Sequence, residues 1–122
     1  MALLDRDGVL NRDSGYPFRP VDIVWIEGAL DALVRLRQAG YRVVVPDQIG
    51  FGKSSKPQGD LHFDTLARNT IALLDHLGVA RADIVAHSLG GMLGVRIARA
   101  YPDRIAHLVL TAPIGLEDYR LY

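Results

Sequence analysis

Two short stretches of the sequence carry side chains that could do covalent chemistry. In the first, DRDG, Asp5 and Asp7 flank Arg6 directly after a short apolar run. Two carboxylates at this spacing can divide the work of phosphoryl transfer, one attacking phosphorus and one handling protons. They can also hold Mg²⁺ through oxygen. An acidic loop, or a turn closed by Gly8, explains the same residues, so both interpretations stay open.

The second stretch is AHSLGG at residues 86–91, between an apolar run and a segment rich in small residues. A serine at a sharp strand-to-helix turn can be a nucleophile, because the turn exposes its hydroxyl and requires small neighbours. Ser88 is therefore a candidate nucleophile, although Ala86 stands where the usual motif has its first glycine. The alternative is that Ser88 only caps the next helix. The strand–turn–helix context favours the nucleophile.

A third stretch, GFGKSS at residues 50–55, is similar to a nucleotide-binding loop but lacks its glycines. Asp47 stands where a Walker loop has its first glycine, and Ser55 stands where a dinucleotide-binding loop has its third. We therefore reject both nucleotide-binding interpretations.

Alternating apolar strands and amphipathic helices must position these residues. The pattern predicts strands at residues 2–5, 42–46, 83–87 and 105–111, and helices at residues 28–39, 64–77 and 89–101. Single helices between strands indicate a parallel sheet with right-handed crossovers. The length of 122 residues suits one α/β domain.

The composition excludes several classes of protein. Lys+Arg 14 balances Asp+Glu 14, which argues against nucleic acid or an anionic membrane as a partner. There is no cysteine, so disulfides and thiolate metal sites are excluded. No apolar run has the roughly 20 residues of a membrane span, and the first residues are not those of a signal peptide. These features predict a soluble cytoplasmic domain.

Residues 1–45 contain LLDRDGVLNRDSGY and then GALDALVRLRQAGYRVVV. They resemble the haloacid-dehalogenase-like phosphatases, in the sugar-bisphosphate and histidinol-phosphate branch. The resemblance implies that Asp5 is a phosphate-accepting nucleophile and Asp7 a general acid. Pro46 lies where that family has its phosphate-binding hydroxyl, and the family's later lysine and acidic pair have no counterpart. Without that positive charge we expect no phosphatase turnover.

Residues 46–122 contain PDQIGFGKSS and then DIVAHSLGGMLGVRIARAYPDRIAHLVLTAP. They resemble the α/β-hydrolase superfamily. The resemblance implies that Ser88 is the nucleophile and that the backbone N–H of Leu89 is an oxyanion donor. The family's acid and histidine have no matching residues, and the strand bearing Asp5 stands where the family has its other oxyanion segment.

The hydrolase order also implies the sheet. We expect a three-layer, flavodoxin-like or Rossmann-like α/β fold with four parallel strands in the order 2-1-3-4. One helix should cover one face and two helices the other. Asp5 and Ser88 should then share one edge of the sheet, with Asp47 beside Asp5.

We interpret the chain as an engineered or selected chimera of two enzyme fragments, joined near residue 46, with both active sites incomplete and no physiological reaction. One alternative is a weak serine esterase using Ser88, with water or His62 as base, although all four histidines, His62, His76, His87 and His107, are predicted to be ordinary surface or core residues. Another is a module in which Asp5, Asp7 and Asp47 hold Mg²⁺ at low affinity. No cofactor is required by the first two interpretations.

Association is predicted from the arrangement of the helices. With one helix over four strands, one sheet face is partly uncovered, and its strands read as apolar on both faces. Such a patch indicates an interface, so we expect a homo-oligomer, most simply a dimer. A tail containing Leu116, Tyr119, Leu121 and Tyr122 could cover part of the patch or swap onto a partner.

Overall fold

The elements of the fold lie close to where the sequence predicts them. The computed structural model describes residues 1–12, 19–59 and 61–116. In chain order its elements are β1 (Ala2–Leu4), α1 (Ala29–Gln38), β2 (Val43–Val44), α2 (Phe63–His76), β3 (Ala82–His87), α3 (Ser88–Ala100) and β4 (Ile105–Thr111). Short 3₁₀ turns occur at Pro20–Asp22 and Pro102–Arg104. All the predicted strands and helices are present, with ends shifted by one or two residues.

The sheet has the predicted order, β2-β1-β3-β4, and all three pairings are parallel. β1 is a central strand. Its Leu3 pairs with Val44 on one side and with Ile84 on the other. All three residues of β1 are buried, as expected of a parallel strand covered on both faces. The carboxyl ends of β1 and β3 therefore meet at one edge, where the loops that carry Asp5 and Ser88 begin.

Two apolar cores lie on opposite sides of the sheet, because successive side chains of a strand point to opposite faces. Leu3 belongs to the larger core with Leu74 of α2 and Ile97 of α3. Leu4 belongs to the smaller core with Ala29 of α1. One helix thus covers one face and two helices cover the other. The predicted α/β fold class, strand order and distribution of helices are confirmed.

The face beside α1 departs from the expectation of a continuous apolar patch. Three cross-strand pairs of β3 and β4 lie there: Asp83 with His107, Val85 with Val109, and His87 with Thr111. His107 lies 2.6 Å from Asp83, and Val109 is 50% exposed. The prediction that both strands are apolar on both faces was wrong for this face. Two of its three pairs are polar, and the apolar part is confined to one valine pair.

Two further expectations concern the surface. Leu116 is exposed, whereas Tyr119, Leu121 and Tyr122 of the predicted covering tail lie outside the described residues. Within the described ranges, the longest helix has 14 residues and none could cross a membrane.

Candidate functional site

The backbone at Ser88 makes an abrupt turn from strand to helix. His87 ends β3 in an extended conformation, and Ser88 begins α3 with a φ of 49°. A positive φ is uncommon for a residue with a Cβ, and such strain persists where the surrounding fold imposes it. A serine in this conformation, at the carboxyl end of a parallel strand, has the backbone geometry of a nucleophile elbow.

The simpler interpretation of Ser88 as a helix cap does not fit this geometry. The N-cap position of α3 is occupied by His87, and no side chain caps the helix. Ser88 is the first helical residue, so its hydroxyl is not used to satisfy the N–H groups of the first turn. Those groups, including that of Leu89, have no partner within the helix.

Glycines let α3 approach the rest of the fold closely. A Cβ at Gly90 would overlap the Asp5 carboxylate, and one at Gly91 would lie 2.6 Å from Pro113 Cβ. A Cβ at Gly94 would lie 3.0 Å from Leu108 Cδ1 of β4. Packing therefore requires the small size of the residues after Ser88, as expected at a tight strand–helix turn.

Asp5 lies directly beside the Ser88 turn. The backbone N–H of Asp5 donates to Val85 of β3, which continues the strand pairing to the edge of the sheet. Its Oδ2 accepts a hydrogen bond from the His87 N–H at 3.3 Å, and Oδ1 accepts one from the Arg6 N–H at 3.0 Å. The predicted placement of Asp5 and Ser88 at one edge is confirmed. Their predicted catalytic roles, and that of the Leu89 N–H, stay predictions.

Burial is the largest influence on the Asp5 carboxyl and raises its pKa. The two backbone hydrogen bonds act in the opposite direction, while the nearby charge of Asp7 raises the pKa further. Burial disfavours the charged form because water no longer solvates it. Asp5 is thus held in a position where its negative charge is costly.

Arg6 binds the other two acidic side chains. Its Nε and Nη2 donate to the two oxygens of Asp7 at 3.1 and 3.0 Å, and its Nη1 lies 3.7 Å from Asp47 Oδ1. Asn11 Nδ2 also donates to Asp7, at 2.8 Å. Burial alone would raise the pKa of Asp7, but the hydrogen bonds from Arg6 and Asn11 and the Arg6 charge together lower it. Arg6 is therefore the residue that organises this edge.

The predicted Mg²⁺ site at Asp5, Asp7 and Asp47 does not fit this arrangement. A guanidinium lies between Asp7 and Asp47, and Asp5 points to the backbone of His87. Asp47 also accepts the Lys53 N–H, at 2.9 Å, in closing its own loop. Among the residues of the described ranges, no three acidic or histidine side chains are grouped to hold a metal. The predicted Mg²⁺ ligands therefore do not converge.

None of the four histidines, all within the described ranges, hydrogen-bonds to Ser88. The His87 ring packs against Gly8, and its Nδ1 lies 3.2 Å from Thr111 Oγ1. His107 pairs with Asp83, His62 precedes α2 and His76 ends it. The proposed role of His62 as a base thus has no supporting contact.

Sequence reasoning missed two features of this site. It assigns no role to Arg6, although an arginine next to an acid is a simple signal for an ion pair. It also does not give the contact of Asp5 with Gly90, because the predicted pairing of β1 with β3 places Asp5 and the Ser88 turn at one edge without fixing which side chains touch.

Comparison with known proteins places these features in context. A sequence model described as the alpha/beta hydrolase fold matches residues 13–120. The chain is 43% identical over 79 residues to the dihydrolipoyllysine-residue acetyltransferase component of an acetoin cleaving system from Pseudomonas putida, covering 63% of this chain and 21% of that protein. It is 38% identical over 77 residues to a 2-hydroxymuconate semialdehyde hydrolase from the same species, covering 62% of this chain and 27% of that protein.

Solved structures give the same fold over nearly the whole chain. The crystal structure of a probable hydrolytic enzyme from Pseudomonas aeruginosa PAO1 matches with a TM-score of 0.71 and 42% identity, covering 98% of this chain and 34% of that one. The chain spans about a quarter of the curated relatives and a third of this structure. The family match includes most of residues 1–45, and none of these matches supports a phosphatase origin for that segment.

Proposed function

The chain belongs to the alpha/beta hydrolase fold family, and we propose that it carries the nucleophile half of a serine hydrolase site, with Ser88 as the attacking residue. The observation that carries the proposal is the φ of 49° at Ser88, at the turn from β3 into α3. The hydrolases among its relatives support this reaction class over an inert chimera.

The reaction is acyl transfer to water. Ser88 Oγ forms a bond to the carbonyl carbon of an ester, and its proton passes to a base. The bond to the leaving alcohol then breaks, and the alcohol takes up a proton. Water hydrolyses the resulting acyl-serine and releases the acid. The Leu89 N–H, at the positive end of α3, lies next to Ser88 in the chain and can stabilise the negative oxygen.

The described residues supply no base in contact with Ser88, so the proposed activity of this chain alone is weak. A serine without an oriented base reacts slowly at neutral pH, because its hydroxyl is seldom deprotonated. What remains in a site lacking a triad member is roughly 10³–10⁴-fold over water when oxyanion stabilisation and binding are complete. We therefore expect slow acylation, with substrate identity set by residues outside the elbow.

Hydrolysis of p-nitrophenyl acetate tests the proposal. The rate with the unchanged chain should exceed that with Ser88→Ala, and intact-protein mass should show an acetyl group on Ser88. Ser55→Ala is a matched control, because Ser55 is an exposed serine on the neighbouring loop. Equal rates for the unchanged chain and Ser88→Ala, with no acetylated Ser88, would support the inert chimera instead.

A further inference from the structure

The Asp5 side chain contacts the Ser88 turn at two points. Its Oδ2 accepts the His87 N–H at 3.3 Å, one residue before Ser88. The same oxygen lies against Gly90, two residues after Ser88, so closely that a Cβ there would overlap it. The carboxylate therefore lies under the turn that carries both Ser88 and the Leu89 N–H.

The charge of Asp5 is not balanced by an ion pair with any residue of the described ranges. Arg6, its neighbour in the chain, directs its guanidinium to Asp7 and Asp47 instead. Asp5 receives only backbone N–H groups, from Arg6 and His87. The side chain is also half-buried, which reduces screening by water.

We propose that Asp5 restrains the reactivity of Ser88, because its carboxylate opposes the negative charge that develops beside the Leu89 N–H when Ser88 attacks. The inference rests on the proposed function, since it assumes that Ser88 is a nucleophile. Asp5 acts here through the electrostatics of the turn, and it is a positioning residue that touches no substrate.

A fluorophosphonate probe isolates this step. Ser88 Oγ forms a bond to phosphorus, the P–F bond breaks, fluoride leaves, and the hydroxyl proton passes to solvent. Negative charge accumulates on the phosphoryl oxygen during the attack, next to the donors of the turn. A nearby carboxylate raises the energy of this charge and also disfavours loss of the serine proton.

Asp5→Asn removes the charge while keeping the shape and an acceptor for the His87 N–H. The rate of Ser88 labelling, followed by intact-protein mass, should rise at least about tenfold, as expected when a unit charge a few ångströms away is removed at an effective dielectric constant near 20. Asp5→Glu keeps the charge and should not label faster. Asp75→Asn is the matched control, because exposed Asp75 pairs with Arg104 near the opposite edge of the sheet and should leave the rate unchanged.

The outcomes separate the two proposals. Labelling of Ser88 in the unchanged chain, with Asp5→Asn no faster and natively folded by circular dichroism, would overturn the role of Asp5 but leave Ser88 as nucleophile. A purely structural role for Asp5 predicts that result. If neither protein is labelled at Ser88, the proposed function fails and the role of Asp5 falls with it. If Asp5→Asn does not fold, Asp5→Ser is measured by the same criteria.

Discussion

His87 Nδ1 lies 3.2 Å from Thr111 Oγ1, and this contact joins the last residues of β3 and β4 directly before Ser88. The other side of the His87 ring packs against Gly8, in the loop that follows β1. One side chain thus connects three segments at the edge that carries the elbow. The contact holds the residue that directly precedes Ser88.

Thr111→Val should weaken this edge, because valine keeps the shape of threonine but cannot hydrogen-bond to His87. The hydroxyl also donates to the Ala86 carbonyl at 3.4 Å, and the free energy of unfolding should fall by about 0.5–1.5 kcal/mol for each bond lost. Urea denaturation followed by circular dichroism measures it. Thr111→Ser retains the hydroxyl and should retain this part of the stability. A loss of stability in Thr111→Ser but not in Thr111→Val would show that the methyl group matters instead of the hydroxyl.

Asp5→Asn should make stability less dependent on pH. The folded-state pKa of Asp5 is raised, chiefly by burial, above its ordinary value of 3.8. The native state therefore binds more protons at Asp5 than the unfolded state, and the contribution of Asp5 to stability decreases as the pH rises from below 3.8 through the raised value. Asp5→Asn should melt at a higher temperature than the unchanged chain at pH 7.

The advantage of Asp5→Asn should shrink towards zero below pH 3.8, where the carboxyl is protonated in both states. Asp7→Asn is the opposite case. The pKa of Asp7 is lowered overall. The Asp7 carboxylate therefore stabilises the fold above pH 3.8, and this contribution is lost as the pH falls through the lowered pKa. If Asp5→Asn melts at a lower temperature than the unchanged chain at pH 7, the conclusion that the fold raises the pKa of Asp5 is contradicted.

The sequence predicts much of this fold because the signals that carry it are local. Apolar runs of strand length and glycines after α1 and α2 give the elements, and AHSLGG gives the turn at Ser88. No local signal determines the sheet face on which each side chain of β4 lies. That face depends on the register with β3, which shifts between Ala82 and Ile84, and a one-residue slip exchanges the two faces.

The partners of Arg6 could not be predicted with the same certainty. Asp7 is its neighbour in the chain, but Asp47 reaches it only because β2 lies beside β1. The arginine side chain is flexible, so the carboxylates that it binds depend on where the fold places them. The turn that carries Ser88 is therefore predictable from a motif, whereas the electrostatics of this edge depend on the arrangement of three separate segments.

Gly90→Ala should destabilise the fold, because its methyl group would overlap the Asp5 carboxylate. Overpacking of this kind costs about 1–3 kcal/mol. Asp5→Gly removes the obstructing side chain, so the double variant should lose less stability than the sum of the two single changes. Additive losses in urea denaturation would mean that Asp5 is not the group that limits the space at Gly90.

We propose that the chain forms a dimer through the sheet face beside α1, where Val85 and Val109 pair between polar neighbours. Sedimentation at micromolar concentration should give about twice the 13.4 kDa of one chain. Val109→Asp places a charge on a half-exposed position and should shift the equilibrium to the monomer. Val21→Asp is the control, because Val21 is exposed in the 3₁₀ turn at Pro20–Asp22. A monomer for the unchanged chain would exclude this interface.

β1 lies between β2 and β3, although 80 residues of the sequence separate Leu4 from its partner Val85. β3, α3 and β4 follow one another directly and can associate as soon as they form. β1, α1 and β2 are likewise consecutive, whereas the pairing of β1 with β3 closes a long loop, which is slow because the entropy of the loop must be lost first. β1 thus joins two units that are each local in sequence, and Asp5 and Ser88 come together only when the pairing of β1 with β3 is made.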